Sequence, residues 1–443
     1  MIYICVDQQH AGMMSCAGNR WLKTPAMDYI AQNGIRFTRA YTTNPVCSPA
    51  RVSLMTGRFA GAFLDPEGNQ VRENAGSMVI SKISDEVKNT TISAFLLKAN
   101  YELVYGGKRD LPSPLDPTIL GFKDLGGDGR EKLAESAAQY IKRKHQNPFF
   151  MMVSLINPHD ICYMAIRDFA STELEKRIVT NGVVPCNTLD KALEIPAGVN
   201  DTDFFAKNCP TLPANYEPQK DEPAAVKSLI ERRNFRKEAR DKYTDNRWRL
   251  HRWAYCRLTE LVDKQVQTIL DAVKSSGQEE NTLVIFSSDH GDMDAAHRME
   301  HKTALYEESV NIPFLAMWKG HFAAGQVDDH HLVSNGLDLL PTVCDYAGIK
   351  GVADPRGRSL RPLFEGGEID WRKTLGVETE IGRMVVDQEK FKYIKYDAVG
   401  IEEQLFDLSQ TPLEMLPVTN HPKYLEKLTC LRKVFQSEWF NGY

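Results

Sequence analysis

No stretch of this 443-residue chain approaches the roughly 18 consecutive apolar residues of a membrane-crossing helix, so no helical membrane span is expected. Strong charge of one sign is also missing. The 59 acidic and 54 basic residues leave a net charge of −5, which argues against wholesale nucleic-acid binding. Internal repeats and low-complexity tracts are absent. The nine cysteines show no zinc-finger spacing, and with Cys47 set aside the remainder neither require nor exclude disulfides. No signal peptide precedes the first apolar run, which begins at Ile2. What is present is a chain with 42% apolar residues, long enough for one large domain and a smaller one.

Strand and helix patterns alternate as in an α/β domain with a mostly parallel sheet. The run Ile2-Tyr3-Ile4-Cys5-Val6 reads as a buried strand that delivers Asp7-Gln8-Gln9-His10 at its carboxyl end. Thr24-Pro25 opens a helix that Gly34 stops, and residues 35–41 read as a strand. Further on, residues 91–99 and 131–145 read as helices, and 101–105 and 149–156 as strands. Between Asp160 and Pro223 the pattern loosens, with many Asn, Pro and Asp, the mark of an insertion that would carry specificity. A long helix is expected over 247–275, with Trp253, Leu258, Leu261, Val262, Ile269, Leu270 and Val273 as its core stripe. Strand 282–286 follows and runs into Ser287-Ser288-Asp289-His290-Gly291-Asp292. Beyond Trp371, short strand-like runs at 374–378 and 391–396 and the segment 403–408 precede a helix that includes 432–440.

The most informative segment is Cys47-Ser48-Pro49-Ala50-Arg51 followed by Val52-Ser53-Leu54-Met55-Thr56-Gly57-Arg58. Asn44-Pro45 signals a turn, Ser48-Pro49 suits an N-cap and first helical position, and Ala50 to Met55 can continue as helix. Cys47 then sits at a helix N-terminus, where unpaired amides favour an anion, with Arg51 one turn on. By itself the segment also fits a buried small hydrophobe and a surface cation.

This segment resembles the signature of the type I sulfatases, formylglycine-dependent members of the alkaline phosphatase-like superfamily. The resemblance implies that Cys47 is oxidised to formylglycine by a maturation enzyme and that the hydrated aldehyde attacks sulfur. Carried over by position, it makes Asp7, Gln8, Asp289 and His290 metal ligands, with the modified Cys47 completing the shell. The commoner family pattern is Asp-Asp and Asp-Asn, so Gln8 and His290 depart from it. One divalent metal is implied; oxygen-rich donors favour calcium, then magnesium, and the imidazole leaves room for a transition metal. Gly106-Gly107-Lys108 resembles the glycine-lysine segment in which Lys binds sulfate, with Asp110 where the family has His. Asn157-Pro158-His159-Asp160 makes His159 the general-acid candidate, and His297-Arg298-Met299-Glu300-His301-Lys302 supplies a second sulfate-binding lysine, Lys302.

A sulfate monoester repels a nucleophile through its charged nonbridging oxygens, so metal, Arg51, Lys108 and Lys302 are expected to neutralise it. His159 would protonate the leaving alcohol, and Asp110 could act as base for the second step. The implied architecture is a catalytic α/β domain over 1–350, with a specificity insertion at 160–245, and a C-terminal subdomain over 351–443 with a small antiparallel sheet and closing helix. The implied substrate is a sulfated carbohydrate, as in bacterial glycan sulfatases including uronate-directed ones. The alternatives are a phosphonate or phosphate diester hydrolase on the same core, or a sulfated-glycan binding protein with little turnover. Relatives usually carry residues before this first strand, so the expected location is periplasmic or secreted with a trimmed export signal, the cytoplasm being the alternative. Finally, Arg232-Arg233-Asn234-Phe235-Arg236-Lys237, continuing through Arg240, Lys242, Arg247, Arg249 and Arg252, reads either as a polyanion-docking strip or as a solvated helix laced with Glu231, Glu238, Asp241 and Asp245.

Overall fold

The computed structural model describes residues 1–72, 80, 82–126, 130, 132–349, 354–397, 400 and 402–441. Its main sheet has eight strands in the order Lys123–Asp124, Glu102–Gly107, Phe149–Pro158, Ile2–Asp7, Val284–Ser288, Phe314–Met317, Ile35–Phe37 and Gln326–Asp328. Phe314–Met317 runs antiparallel to both neighbours, and every other pairing is parallel. Ile2–Asp7 lies centrally and is buried throughout, because successive side chains enter different layers. Tyr3 and Cys5 pack with Leu54, Met55, Leu339 and Val343. Ile2, Ile4 and Val6 pack with Val262, Val266, Ile269 and Leu270 of the long helix Asp245–Ser275.

Several expectations are adjusted. The 35–41 strand divides, since Ala40–Tyr41 leaves the main sheet to pair with Val333–Ser334. Arg39 sits at the break, its guanidinium donating to the carbonyls of Asp387 and Gln388. The first half of the loose 160–223 stretch holds short helices at Tyr163–Phe169, Glu173–Asn181 and Val183–Leu193, while 194–223 is mostly irregular as expected; helices Ala224–Glu231 and Asn234–Lys242 follow it. Local capping helps them form, as where Thr172 and Glu175 make a reciprocal capping box, and packing on the long helix supplies what periodicity does not show. Leu261 is exposed, outside the stripe assigned to it. Glu131 and the expected 350/351 boundary lie outside the described residues.

The Arg-rich segment is mostly laced into ion pairs. Arg232 meets Glu380 at 2.9 Å, Arg240 meets Glu222 at 2.6 Å, Arg247 meets Asp168 at 2.5 Å and Arg252 meets Asp294 at 2.9 Å. Lys237 and Lys242 pair with Asp241 and Glu238 on their own helix.

Strands Thr374–Thr379, Gly382–Asp387, Phe391–Tyr396 and Glu403–Asp407 form a separate antiparallel sheet in sequence order, and helix Leu425–Val434 begins the closing segment earlier than residue 432. Gly382–Asp387 is a strand that sequence reading did not identify. Among the described residues no helix is long and apolar enough to cross a membrane.

Helix Asn335–Tyr346 braces helix Cys47–Thr56 from behind. Their contact is tight: a Cβ on Gly336 would fall 2.7 Å from the Ser53 Cβ, so glycine is required there. Asp338, fully buried, is gripped by Arg372 through a fork of 2.5 and 2.6 Å. Removing one partner of such a pair leaves an uncompensated charge. Arg372→Met is therefore expected to cost about 3–5 kcal/mol of stability, measured by urea denaturation, and a midpoint equal to wild type would refute that assignment.

Candidate active site

The strand order sets side by side the carboxyl ends that matter. Ile2–Asp7 lies between Phe149–Pro158 and Val284–Ser288, with Glu102–Gly107 one strand further out. Asp7, Asp289 and His290, His159, and Lys108 thus leave four adjacent parallel strands at one edge. Helix Cys47–Thr56 presents its first residue to that edge. The helix starts at Cys47 itself, with Val46 as an extended N-cap, and Ser48 does not cap it; the Ser48 hydroxyl donates to the Asp110 carbonyl at 2.7 Å.

Cys47 Sγ lies 3.2 Å from His290 Nε2, 3.2 Å from Lys302 Nζ, 3.5 Å from Lys108 Nζ and 3.9 Å from Asp7 Oδ1. One ligand atom each from Asp7, Cys47, Asp289 and His290 falls within 4.8 Å of the others, and all four residues are buried. The donor chemistry fits a cation. Two buried carboxylates and a neutral imidazole converge here, and burial together with the facing Asp7 pushes the Asp289 carboxyl up, although Arg51 lies 2.8 Å from its Oδ2. Burial lowers His290 to about 4, so the ring is neutral; Nδ1 beside the Gly291 carbonyl at 2.9 Å assigns that nitrogen the proton and leaves the Nε2 lone pair facing the cluster.

Arg51 reaches this acid pair, 2.9 Å from Asp7 and 2.8 Å from Asp289, and also donates to Ser154 Oγ and the Lys108 carbonyl. Burial would raise Asp7, but the charges of Lys108, Arg51 and Lys302 outweigh it and hold the carboxyl well below its usual range. Lys108 contacts Asp7 at 2.7 Å and Asp110 at 3.1 Å. Both lysines keep their charge against burial, Lys108 chiefly through Asp7 and Lys302 chiefly through Cys47. His159, half-buried, is held neutral by burial and then by Lys108 and Lys302.

Two expected roles change. Gln8 does not turn its amide to the metal group, because both ends are engaged: Oε1 accepts from Lys302 Nζ at 2.6 Å, and Nε2 donates to Asp292 Oδ2 at 2.6 Å. Asp110 is exposed and lies on Lys108, whose charge draws its pKa below the ordinary value, a poor setting for a base beside Cys47. His297 stays out of the cluster, stacked on Tyr306 at 4.2 Å. Sequence reading missed Ser154, Cys162, Tyr255 and Asp292. Cys162 Sγ is 2.9 Å from Gln8 Nε2, and the Tyr255 hydroxyl donates to the Gln8 carbonyl at 2.6 Å. The signal for Asp292 was present in Asp289-His290-Gly291-Asp292; its partner was not.

The family model named Sulfatase matches residues 1–349 of this chain. The chain belongs to the sulfatase family. A second model, N-sulphoglucosamine sulphohydrolase, C-terminal, matches residues 295–438 of this sulfatase. The sulfatase is 28% identical over 423 residues to a Delta 4,5-hexuronate-2-O-sulfatase of Bacteroides thetaiotaomicron, covering 90% of this chain and 80% of that protein. Its fold superposes on a 2-O GAG sulfatase with TM-score 0.77 and 24% identity, covering 98% and 90% of the two chains. It also superposes on the phosphonate monoester hydrolase of Agrobacterium radiobacter with TM-score 0.71 and 19% identity, covering 98% and 94%. Family membership makes this protein a sulfuric ester hydrolase.

The Asp292–Gln8–Lys302 relay makes a prediction about how the lysine is aimed. Burial pushes Asp292 up to about 7, so an acceptor oxygen, more than a full charge, is what Gln8 needs. Asp292→Leu should lower kcat/KM roughly 10- to 100-fold by leaving buried donors unmet, while Asp292→Asn keeps most activity. Steady-state kinetics on folded variants decide it; wild-type kcat/KM in the leucine variant would discard the relay.

Proposed function

We propose that this sulfatase removes a sulfate ester from a sulfated glycan, foremost a glycosaminoglycan-type sugar, using formylglycine made from Cys47 by a maturation enzyme and one divalent metal. The observation that carries the reading is Cys47 at a buried helix N-terminus, within 3.2–3.5 Å of Lys302, His290 and Lys108. The named relatives support the glycan substrate, the hexuronate 2-O-sulfatase above all, and favour a periplasmic or secreted setting. Asp7, Asp289, His290 and the modified Cys47 would hold the metal, calcium before magnesium by donor type.

In the unmodified chain Cys47 Sγ stands where the formylglycine oxygens would be. The bound metal would supply positive charge at the reaction centre, and the formylglycine hydrate a hydroxyl nucleophile with a second hydroxyl for release of sulfate. Lys108 and Lys302 meet the nonbridging oxygens, where fixed charges in a buried site act strongly. Arg51 balances Asp7 and Asp289 and so keeps two like charges together at the strand ends. His159 faces the leaving group. An arriving sulfate offsets the two lysines that hold this imidazole neutral, so its proton affinity rises when an acid is needed.

Protein with the aldehyde verified by mass spectrometry is expected to release sulfate from a chromogenic ester, with the phosphonate analogue as the slower substrate. Cys47→Ala should be inactive, and Asp7→Ala and Asp289→Ala should each lose bound metal by elemental analysis. Full turnover in Cys47→Ala, wild-type metal content in the aspartate variants, or faster phosphonate cleavage would each contradict the reading. His159→Ala should lose far more rate on an alkyl or sugar sulfate than on an activated aryl sulfate, because an acidic phenol leaves without a proton. Equal losses on the two would take His159 out of the acid role.

A further inference from the structure

Asp110 is a poor base, yet its position is fixed. The Ser48 hydroxyl donates to its carbonyl at 2.7 Å, and its φ of +42° is a left-handed conformation that few non-glycine residues adopt. The preceding Arg109 is engaged elsewhere, with Asp116 at 3.1 Å and Asp124 at 2.6 Å. Exposure rises from 2% at Cys47 to 13% for the Lys108 side chain and 44% for the Asp110 side chain. Lys108 Nζ links the two ends, 3.5 Å from Cys47 Sγ and 3.1 Å from Asp110 Oδ2, so this carboxylate stands at the solvent side of the buried nucleophile.

Neutralising Lys108 does not account for an acid there. Asp7 already meets that lysine at 2.7 Å, and an ion pair with a partner as open to water as Asp110 stabilises little. The charge also opposes the substrate. A sulfate that engages Lys108 meets a like charge on the same ammonium, the reverse of what anion binding alone calls for. Asp110 Oδ1 has no protein partner among the described residues, and Oδ2 has only Lys108. Acceptor capacity is thus left over beside the bound ester, where a carboxylate takes hydrogen bonds most strongly from hydroxyl or ammonium donors.

We propose that Asp110 is a specificity-determining residue whose carboxylate accepts from a donor, a hydroxyl or a protonated amine, on the ring carbon next to the sulfate ester. Lys108 and Lys302 meanwhile hold the sulfate to be cleaved. The proposal rests on the sulfatase reading and deepens it: the substrate is a sugar whose sulfate has an unmodified donor as its neighbour.

Two substrate pairs test it and separate the donors. One is a 2-O-sulfated Δ4,5-uronate disaccharide with its 3-deoxy counterpart; the other is glucosamine 3-O-sulfate with the counterpart lacking the 2-amino group. Wild type should prefer the donor-bearing member of one pair. Asp110→Ala should reduce that preference roughly 10- to 100-fold in kcat/KM, and Asp110→Asn, which keeps an acceptor, should restore part of it. The pair affected identifies the donor. Inorganic sulfate should respond with the opposite sign: titrated calorimetrically, it should bind roughly 3- to 10-fold tighter to Asp110→Ala than to wild type, because a like charge beside Lys108 is gone. A merely structural role would weaken both ligands. The four sugars are also titrated into Cys47→Ala, with and without Asp110→Ala. If modified wild-type enzyme releases no sulfate from these sugars or from the chromogenic ester, the sulfatase reading fails, and the titrations still decide Asp110. No preference within either pair by rate and by binding, a preference unchanged in Asp110→Ala, or sulfate binding no tighter in that variant would each overturn the proposal.

Discussion

Two fully buried carboxylates, Asp7 and Asp289, leave adjacent parallel strands at the same edge and face each other. Left alone, this like-charge pair would neutralise itself by taking up a proton or open the sheet edge to water. The surrounding groups answer that problem. Arg51 bridges both acids from the Cys47 helix, Lys108 closes on Asp7, and neutral His290 offers a lone pair in place of further charge. The cluster of Asp7, Asp289, His290 and Cys47 is therefore a consequence of strand order joined to one helix, and Lys108 and Lys302 gather around the same charge.

What could be read from sequence follows how local each feature is. Asp7, Lys108, His159 and Asp289 follow apolar runs directly, so their strand-end placement was legible, as was Cys47 at the start of a helix. The destination of the Gln8 amide was not, because its partner Asp292 lies 284 residues away and only the fold brings them together. Asp110 occupies its matched position, yet exposure and Lys108 decide its character, and neither is a property of local sequence. The insertion helices were obscured for a related reason: short helices stabilised by tertiary packing carry weak periodicity of their own. Leu261 illustrates the opposite error, an apolar residue near the stripe that the structure leaves in solvent.

The second sheet takes part in shaping the site. Its residues share one apolar cluster with Leu305, Tyr306 and Val310, which follow Lys302 in the chain. Thr379 donates to the Thr303 carbonyl at 3.0 Å, and the Glu378 amide donates to the Thr43 carbonyl at 3.0 Å, ahead of the Cys47 helix. Arg372 and Asp338 hold the bracing helix against the connector to this sheet. The described residues between 354 and 441 thus hold both the Lys302 loop and the Cys47 helix in register, and substitutions far from Cys47 can reach the site through them.

Helix Cys47–Thr56 is buried along its whole length, and Cys47 itself is only 2% exposed. If Cys47 is converted as proposed, the converting enzyme must reach it before the chain closes, because the finished fold leaves no room around the thiol. Folding and conversion would then compete in time, and a chain that folded first would keep its cysteine. The yield of active protein would depend on that race, without a single contact changing in the final structure.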